Sequence, residues 1–161
     1  MGSTTDLPVM EEAAKVLNEL HIPFEINALS AHRTPELVAD FAAQAYSRGI
    51  RVIIAGASGA AHLPGVVAAF TALPVIGVPL RSAISIEGID SLLSIAQMPP
   101  GVPVASVGID GARNAGILAA QILATGDPEM MNVMLKFKED LKKKIIQANT
   151  ELAKVAYEYK V

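Results

Sequence analysis

Short apolar runs alternate with longer alanine-rich runs along this chain, and that alternation limits its fold more than any other feature. The short runs are rich in β-branched residues, which favours buried strands, whereas the longer runs repeat apolar residues at helical spacing. Strands are predicted at 23–29, 51–55, 74–80 and 102–109. Helices are predicted at 6–20, 34–49, 63–72, 88–98 and 112–125. This order predicts an α/β domain over residues 1–126, in which helices cover both faces of a mainly parallel, four-stranded sheet.

Residues 127–161 follow a different pattern. Apolar residues recur there at intervals of three and four among lysines and glutamates: Met134, Phe137, Leu141, Ile145, Ala148, Leu152, Val155 and Tyr159. We therefore expect one long C-terminal amphipathic helix. Its apolar stripe either packs on the chain's own domain or reaches a neighbouring subunit. The length of the stripe favours the second arrangement and predicts a homo-oligomer.

The composition argues against several classes of function. The chain has 161 residues and a net charge of -3, which gives no electrostatic reason to expect nucleic acid or a membrane surface, so the expected partner is a small molecule. It has no cysteine and three histidines, which removes a thiolate nucleophile and disfavours a closed zinc site. Apolar stretches fall short of the roughly 20 residues of a membrane span, and no signal pattern opens the chain, so we expect a cytoplasmic protein.

Ligands of open parallel sheets bind at the carboxyl ends of the strands, and three segments are candidates for that position. The first is MGSTTD at the N-terminus, where Gly2 permits close backbone approach and Ser3 and Thr5 supply hydroxyl groups before a helix. Such a segment can hold a phosphate. The alternative is an ordinary helix cap, which serine, threonine and aspartate also form.

The second candidate is SAHRTP, residues 30–35, between a predicted strand and a predicted helix. His32 can give and take a proton near neutral pH, and Arg33 offers a planar donor fork for phosphate or carboxylate. The alternative is a surface loop in which His32 caps a backbone group and Arg33 is solvated.

The third candidate is AGASGAAHLPG, residues 55–65, whose small residues would let the backbone touch a flat ligand. The glycine spacing is not GxGxxG, and no acidic residue follows at the distance that a dinucleotide site requires, so NAD binding is disfavoured. Considered by itself, His62 is better explained as a hydrogen-bonded packing residue than as a catalytic one. Considered by itself, Met98, which precedes PPGVP, is expected to belong to a rigid connecting segment.

These segments together are similar to one family. MGSTTD, SAHRTP, VIIAGASGAAHLPG, PVIGVP, DSLLSIAQMP and GVPVASVGI, in this order and spacing, resemble the class I N5-carboxyaminoimidazole ribonucleotide mutases of purine biosynthesis. The resemblance implies a three-layer α/β/α sandwich with a flavodoxin-like sheet, assembled as a homo-octamer. It implies conversion of N5-carboxyaminoimidazole ribonucleotide to 4-carboxy-5-aminoimidazole ribonucleotide without a metal or an organic cofactor.

The resemblance also implies roles for particular residues. His32 would be the catalytic acid and base, Ser3, Thr5 and Arg33 would hold the phosphate, and Asp6 would hold the ribose side of the ligand. Backbone groups of residues 56–59 would line the aminoimidazole and carboxylate region. The further ligand-contacting residues that it implies are Ser30, Gly56, Ala57, Ser58, Gly59, His62, Leu63 and Met98, the last covering the site from another subunit.

Three departures from the family pattern stand out. The family has a strand directly before MGSTTD whereas this sequence starts at Met1, so we expect that strand to be absent and the first loop to be poorly anchored. Ser58 replaces a usual glycine, and Pro100 stiffens the covering loop. The alternative functions are a carboxylase that uses aminoimidazole ribonucleotide and free CO2, which the Arg-Thr-Pro after SAH disfavours, and a non-catalytic phosphoribosyl-binding module.

Overall fold

A parallel sheet lies at the centre of the structure. The computed structural model describes residues 1–160, which form one compact unit over residues 1–123 and a second from residue 124 onward. The strands are β1 (Ile53–Ser58), β2 (Val75–Leu80) and β3 (Ala105–Ser106), in the order β1-β2-β3. Because β1 and β2 run in register from their first to their last residue, they end at the same edge of the sheet.

The predicted helices are all present. They are α1 (Leu7–Glu19), α2 (Pro35–Gln44), α3 (His62–Ala69), α4 (Ile89–Ala96), α5 (Ala112–Ala124) and α6 (Pro128–Ala153). Proline stands in the first turn of α1, α2 and α6. Its missing N–H costs nothing there, because the first N–H groups of a helix have no intrahelical partner.

Apolar side chains fill both faces of the sheet. Ile53 and Ala55 of β1 share one buried cluster with residues of α2 and α3, whereas Ile76 and Val78 of β2 share another with residues of α1 and α5. Every residue of β2 is buried, as expected for a parallel strand with helices on both sides. The predicted three-layer α/β/α sandwich is therefore confirmed.

The predicted strand at 23–29 is wrong, because this segment forms no ladder with the sheet. An apolar groove of about 630 Å³ runs beside it, lined by Phe24 and Ile26 on one side and by Ile53 and Ala55 of β1 on the other. The backbone hydrogen bonds of the described residues include none between residues 23–29 and β1. Residues 23–29 therefore have the composition of a strand but no neighbouring strand with which to pair.

Residues 1 and 2 bridge the end of this groove. The Met1 ammonium donates to the Asn27 carbonyl at 3.0 Å, and the Met1 carbonyl accepts from the Leu29 N–H at 2.9 Å. On the other side, the Gly2 N–H donates to the Gly56 carbonyl at 3.3 Å. The N-terminal loop is therefore fixed between the 23–29 segment and the end of β1, and the expectation that it is poorly anchored is wrong.

Two further predictions need correction. The strand predicted at 102–109 is reduced to β3. Pro103 has no N–H with which to extend the ladder before β3, whereas after β3 the Val107 and Asp110 N–H groups still donate to the Gly77 and Pro79 carbonyls of β2. Among residues 1–160 the sheet accordingly has three strands instead of four. The helix predicted at 34–49 ends at Gln44 and continues as turns to Gly49, whose φ of +92° allows the usual left-handed helix end.

The second unit contains α6. Asp127 caps this helix by accepting the N–H groups of Glu129 and Met130 at 2.9 and 3.1 Å. Several apolar side chains of the predicted stripe are exposed, among them Leu141 and Ile145. Residues 154–160 form turns and irregular backbone instead of helix, so the helix predicted for 127–161 stops early. Residue 161, the last of that prediction, lies outside the described residues. Within residues 1–160, none of the helices is both long enough and apolar enough to cross a membrane.

The contact between α1 and α5 gives the first testable prediction. A β-carbon at Gly116 of α5 would meet the Val16 side chain and the backbone of Ala13, which cannot move without displacing α1. We expect Gly116→Ala to lower the free energy of unfolding by about 1 to 3 kcal/mol despite the better helix propensity of alanine, as measured by urea denaturation. Gly126→Ala is the matched control because a β-carbon there meets nothing. Equal stability of the two variants would contradict this packing.

Candidate active site

The loop that carries His32 is folded by its own side chains. Ser30 Oγ accepts from the Arg33 N–H at 3.2 Å and from Arg33 Nε at 3.3 Å. Thr34 Oγ1 accepts from the Ser30 N–H at 3.0 Å and donates to the Ser30 carbonyl at 3.2 Å. Because α2 begins directly afterwards at Pro35, the loop is short and exposes His32 and Arg33.

The N-terminal loop is a reciprocally capped helix start. Ser3 Oγ accepts from the Thr5 N–H at 3.3 Å and from Thr5 Oγ1 at 3.0 Å, while the Ser3 N–H donates to Asp6 Oδ2 at 3.2 Å. This arrangement is a capping box, in which the side chains of Ser3 and Asp6 each accept a hydrogen bond from the backbone of the other residue. The ordinary cap that the sequence suggested is present, and it places the Ser3 and Thr5 hydroxyl groups together ahead of α1.

The third loop turns sharply from β1 into α3. Gly59 has a φ of +61°, and Ala61 has a φ of +47°, which is uncommon for a residue with a β-carbon. The Ala61 N–H donates to the Ser58 carbonyl at 3.1 Å. Since His62 is the first residue of α3, this turn sets the direction of its ring.

Hydrogen bonds join the three loops pairwise. Arg33 Nη2 of the second loop donates to the Gly2 carbonyl of the first at 3.4 Å. The Gly2 N–H donates to the Gly56 carbonyl at the end of β1 at 3.3 Å. His32 of the second loop bonds His62 after the third at 2.7 Å. The three candidate segments therefore form one site at the carboxyl edge of the sheet.

The two imidazole rings meet edge to face. His32 Nε2 lies 2.7 Å from His62 Nδ1, and the ring planes are inclined at 83° with centroids 4.9 Å apart. One of the two nitrogens carries the shared hydrogen. Because Nε2 of His32 is engaged in this way, Nδ1 is the nitrogen that His32 can offer to a ligand. The arrangement suits proton transfer to and from a bound molecule.

The charges of the site favour an anion. Arg48, Arg81 and Arg113 each pair with a carboxylate, whereas Arg33 has no carboxylate partner among residues 1–160. Its guanidinium is held only by neutral oxygen atoms of Ser30 and Gly2. An exposed cation of this kind beside serine and threonine hydroxyl groups can bind a phosphate.

Burial governs the ionisation of the first loop. It raises the pKa of the Asp6 carboxyl, although the N–H groups of Ser3 and Gly2 and the Met1 ammonium favour the charged form. Burial likewise lowers the pKa of the Met1 ammonium, against the attraction of Asp6. Asp6 therefore holds its proton more tightly than an exposed aspartate does.

The other residues that were predicted to contact a ligand lie at different places around the pair of His32 and His62. Ala57 and Leu63 are buried in the apolar cluster beneath the third loop, so their side chains support it. Met98 lies against Gly65 of α3, one turn beyond His62. Among residues 1–160, no group of three or more His, Asp or Glu residues is arranged to hold a metal ion.

Two serines that the sequence analysis did not single out support the third loop. Ser91 Oγ donates to the Gly59 carbonyl, and Ser94 Oγ donates to the Ala60 carbonyl. Both come from α4, where their spacing of three residues puts them on one face. That spacing on a largely apolar helix, in which Asp90 is the other polar residue, is the signal that could have identified them.

Comparison with known proteins shows extensive similarity. A family model described as AIR carboxylase matches residues 1–144. The N5-carboxyaminoimidazole ribonucleotide mutase of Pyrococcus abyssi is 59% identical over 143 residues, which are 89% of this chain and 82% of that protein. The mutase of the same name from Pyrococcus horikoshii is 52% identical over 158 residues, 98% of this chain and 89% of that protein.

A carboxylase and a solved structure are also similar to the chain. The phosphoribosylaminoimidazole carboxylase of Schizosaccharomyces pombe is 52% identical over 157 residues, which are 98% of this chain but 28% of that protein. The crystal structure of Treponema denticola PurE superposes with a TM-score of 0.81 at 29% identity, covering 94% of each chain. The fold is therefore shared with the Treponema denticola protein, and more than half of the aligned residues are identical in each of the two mutases and in the carboxylase.

The raised pKa of Asp6 predicts a pH dependence of stability. The folded chain binds this proton more tightly than the unfolded chain, so the contribution of Asp6 to stability falls as pH rises from its ordinary pKa of 3.8 through the raised value. Asp6→Asn removes that titration but keeps a capping side chain. Relative to wild type, the variant should gain stability as pH rises above the ordinary pKa of 3.8, as measured by urea denaturation. Asp40→Asn, at an exposed site, is the control, and a parallel pH profile for wild type and Asp6→Asn would refute the assignment.

Proposed function

Because this chain belongs to the AIR carboxylase family, we propose that it is an N5-carboxyaminoimidazole ribonucleotide mutase, the activity for which its Pyrococcus relatives are named. It would convert N5-carboxyaminoimidazole ribonucleotide to 4-carboxy-5-aminoimidazole ribonucleotide in de novo purine biosynthesis. The observation that carries the proposal is the bond between His32 and His62 beside Arg33, which no carboxylate of residues 1–160 neutralises. It combines a proton-transferring ring with a binding site for the phosphate of a nucleotide.

His32 accounts for both proton transfers of this reaction. As an imidazolium it donates the Nδ1 proton to the exocyclic nitrogen while the carbamate C–N bond breaks, and CO2 is released. C4 of the aminoimidazole then attacks CO2 and forms the new C–C bond. Neutral His32 finally takes the proton from C4 at the same Nδ1 atom, which restores the imidazolium. His62 accepts the Nε2 hydrogen of His32 throughout and so keeps Nδ1 free.

Retention of CO2 falls to the third loop. CO2 is uncharged and must stay close to C4, which requires a small enclosed space more than a strong binding group. Gly59 leaves room there, because a β-carbon at that position would meet nothing within 4 Å, whereas Gly56 lets the Met10 and Leu80 side chains pack against the end of β1. Buried Ala57 and Leu63 hold the backbone beneath the loop in place. Ser58 continues the β1 ladder opposite Leu80, so the serine fits this loop without breaking the strand.

The nucleotide is held through its phosphate and ribose. Arg33, Ser3 and Thr5 surround the place where the N-terminal loop meets the second loop, and we assign the phosphate to them. Ser30 orients the guanidinium of Arg33. Asp6 is assigned to the ribose side. Binding energy from the phosphate, remote from the reacting atoms, can then position the imidazole ring.

Further subunits complete the proposed enzyme. Exposed apolar side chains on α6, among them Ile145 and Leu152, support a homo-oligomer, and we propose the octamer that the resemblance implies. Met98 would cover the ligand at a subunit boundary. We place the enzyme in the cytoplasm, where its phosphorylated substrate is made and retained. The proton transfers need no metal or organic cofactor.

Replacement of His32 tests the assigned acid and base. We expect His32→Asn to reduce kcat by at least about 100-fold, the lower end of what a general acid-base contributes, while Kd for the nucleotide changes by less than about tenfold. His21→Asn is the matched control, since His21 is exposed and its φ of +56° suits asparagine. Retained turnover with lost binding in His32→Asn would reverse the assignment.

A second assay separates the possible reactions. Purified protein should form product from N5-carboxyaminoimidazole ribonucleotide without added bicarbonate, and should be nearly inactive with aminoimidazole ribonucleotide plus bicarbonate. The reverse preference would identify a carboxylase, the activity for which the Schizosaccharomyces pombe relative is named. Nucleotide binding without either reaction would identify a binding module.

A further inference from the structure

We propose that Ser91 and Ser94 of α4 are positioning residues for the proposed reaction: their hydroxyl groups hold the 59–61 turn in the conformation that directs His62 onto His32. The inference rests on the proposed function for its kinetic part only. Its structural part concerns the geometry of two histidine rings and can be tested without turnover.

Ser91 ties the turn to the sheet. Its side chain is fully buried, and its Oγ lies 3.1 Å from the Leu80 carbonyl at the end of β2 and 3.3 Å from the Gly59 carbonyl. One hydroxyl hydrogen is thus shared by two acceptors, one in the sheet and one in the turn. Because the Ser91 hydroxyl is buried and would lose its partners if the turn moved away, the bond fixes Gly59 relative to β2.

Ser94 holds the next residue of the same turn. Its Oγ donates to the Ala60 carbonyl, one residue beyond the acceptor of Ser91. Ile95, adjacent to it on α4, is buried in the apolar cluster, so the helix that supplies both hydroxyl groups cannot shift easily. Two consecutive carbonyl groups of the turn are therefore bound to one rigid helix.

The turn needs such support because its backbone is strained. Ala61 has a left-handed conformation that alanine rarely adopts, and it directly precedes His62. Within the loop itself, the Ala61 N–H bond to the Ser58 carbonyl stabilises this conformation. A strained residue persists when its surroundings impose it, and here the serines of α4 supply that constraint from outside the loop.

The two serines would affect the chemistry through one hydrogen bond, the one between His62 and His32. His62 Nδ1 lies 2.7 Å from His32 Nε2, a distance that a small rotation of the turn would lengthen. A free Nε2 on His32 would let the ring rotate and present either nitrogen to the substrate. The serines would therefore affect the rate of proton transfer more than the affinity for nucleotide.

Imidazole NMR tests the structural part directly. The chain has three histidines, at 21, 32 and 62, so ring nitrogen signals can be assigned from single substitutions. In Ser91→Ala we expect the signals of His32 and His62 to move while those of His21 stay in place. Ser47→Ala is the matched control, because that exposed hydroxyl bonds only the Gln44 carbonyl at the end of α2.

Kinetics tests the functional part. We expect Ser91→Ala to lower kcat roughly 10- to 100-fold with KM within about threefold, as for a small displacement of a catalytic group. In a His62→Asn background the same substitution should change kcat less than about twofold, because a residue that acts through His62 has no further effect once His62 is gone. Equal effects in both backgrounds would overturn the proposal.

The remaining outcomes are also decisive. If Ser91→Ala fails to fold, Ser94→Ala, at a less buried position, takes its place in both measurements. Unchanged His32 and His62 signals in a folded variant would overturn the positioning role. If wild-type protein lacks mutase activity while the signals move as expected, the proposed function fails and the structural role of the serines stands.

Discussion

The hydrogen bond between His32 and His62 is the interaction on which the proposed chemistry depends. It engages one nitrogen of His32 and leaves the other for a ligand, so a single ring can donate and accept a proton at the same atom. Its two partners come from loops that are 30 residues apart in the chain. The bond therefore exists only if those loops are brought to the same edge of the sheet and held there.

Two kinds of interaction bring the loops together and hold them. Apolar burial on both faces of β1 and β2 fixes where the strands end, which brings the loops within a few ångströms of one another. Hydrogen bonds then set the final geometry: Gly2 links the first loop to β1 and to Arg33, and Ser91 links the third loop to β2. Ala61 has a strained, left-handed backbone, so the conformational preferences of the loop residues alone would not produce this arrangement.

Much of this could be predicted from the sequence, and the exceptions have physical causes. Proline at the start of α1 and α2 marked where these helices begin, whereas glycine at position 49 marked the end of the turns that follow α2 and not the end of the helix itself. The segment 23–29 has the composition of a strand, but pairing also requires a neighbour, which composition cannot reveal. The polar residues Ser3, Arg33 and His62 lie in loops or directly after them, so the sequence was enough to identify them as candidate site residues. Which nitrogen of His32 is engaged depends on ring orientation, and the support from Ser91 depends on packing of α4.

Scalar coupling across the hydrogen bond between the two rings tests the central claim most directly. In protein labelled with nitrogen-15, the shared hydrogen should give a measurable coupling between His32 Nε2 and His62 Nδ1, since the two nitrogens lie 2.7 Å apart. We predict that this coupling is present in the wild-type protein and absent in His62→Asn. Slowly exchanging, fully assigned ring signals without any coupling, or coupling that involves Nδ1 of His32, would contradict the account.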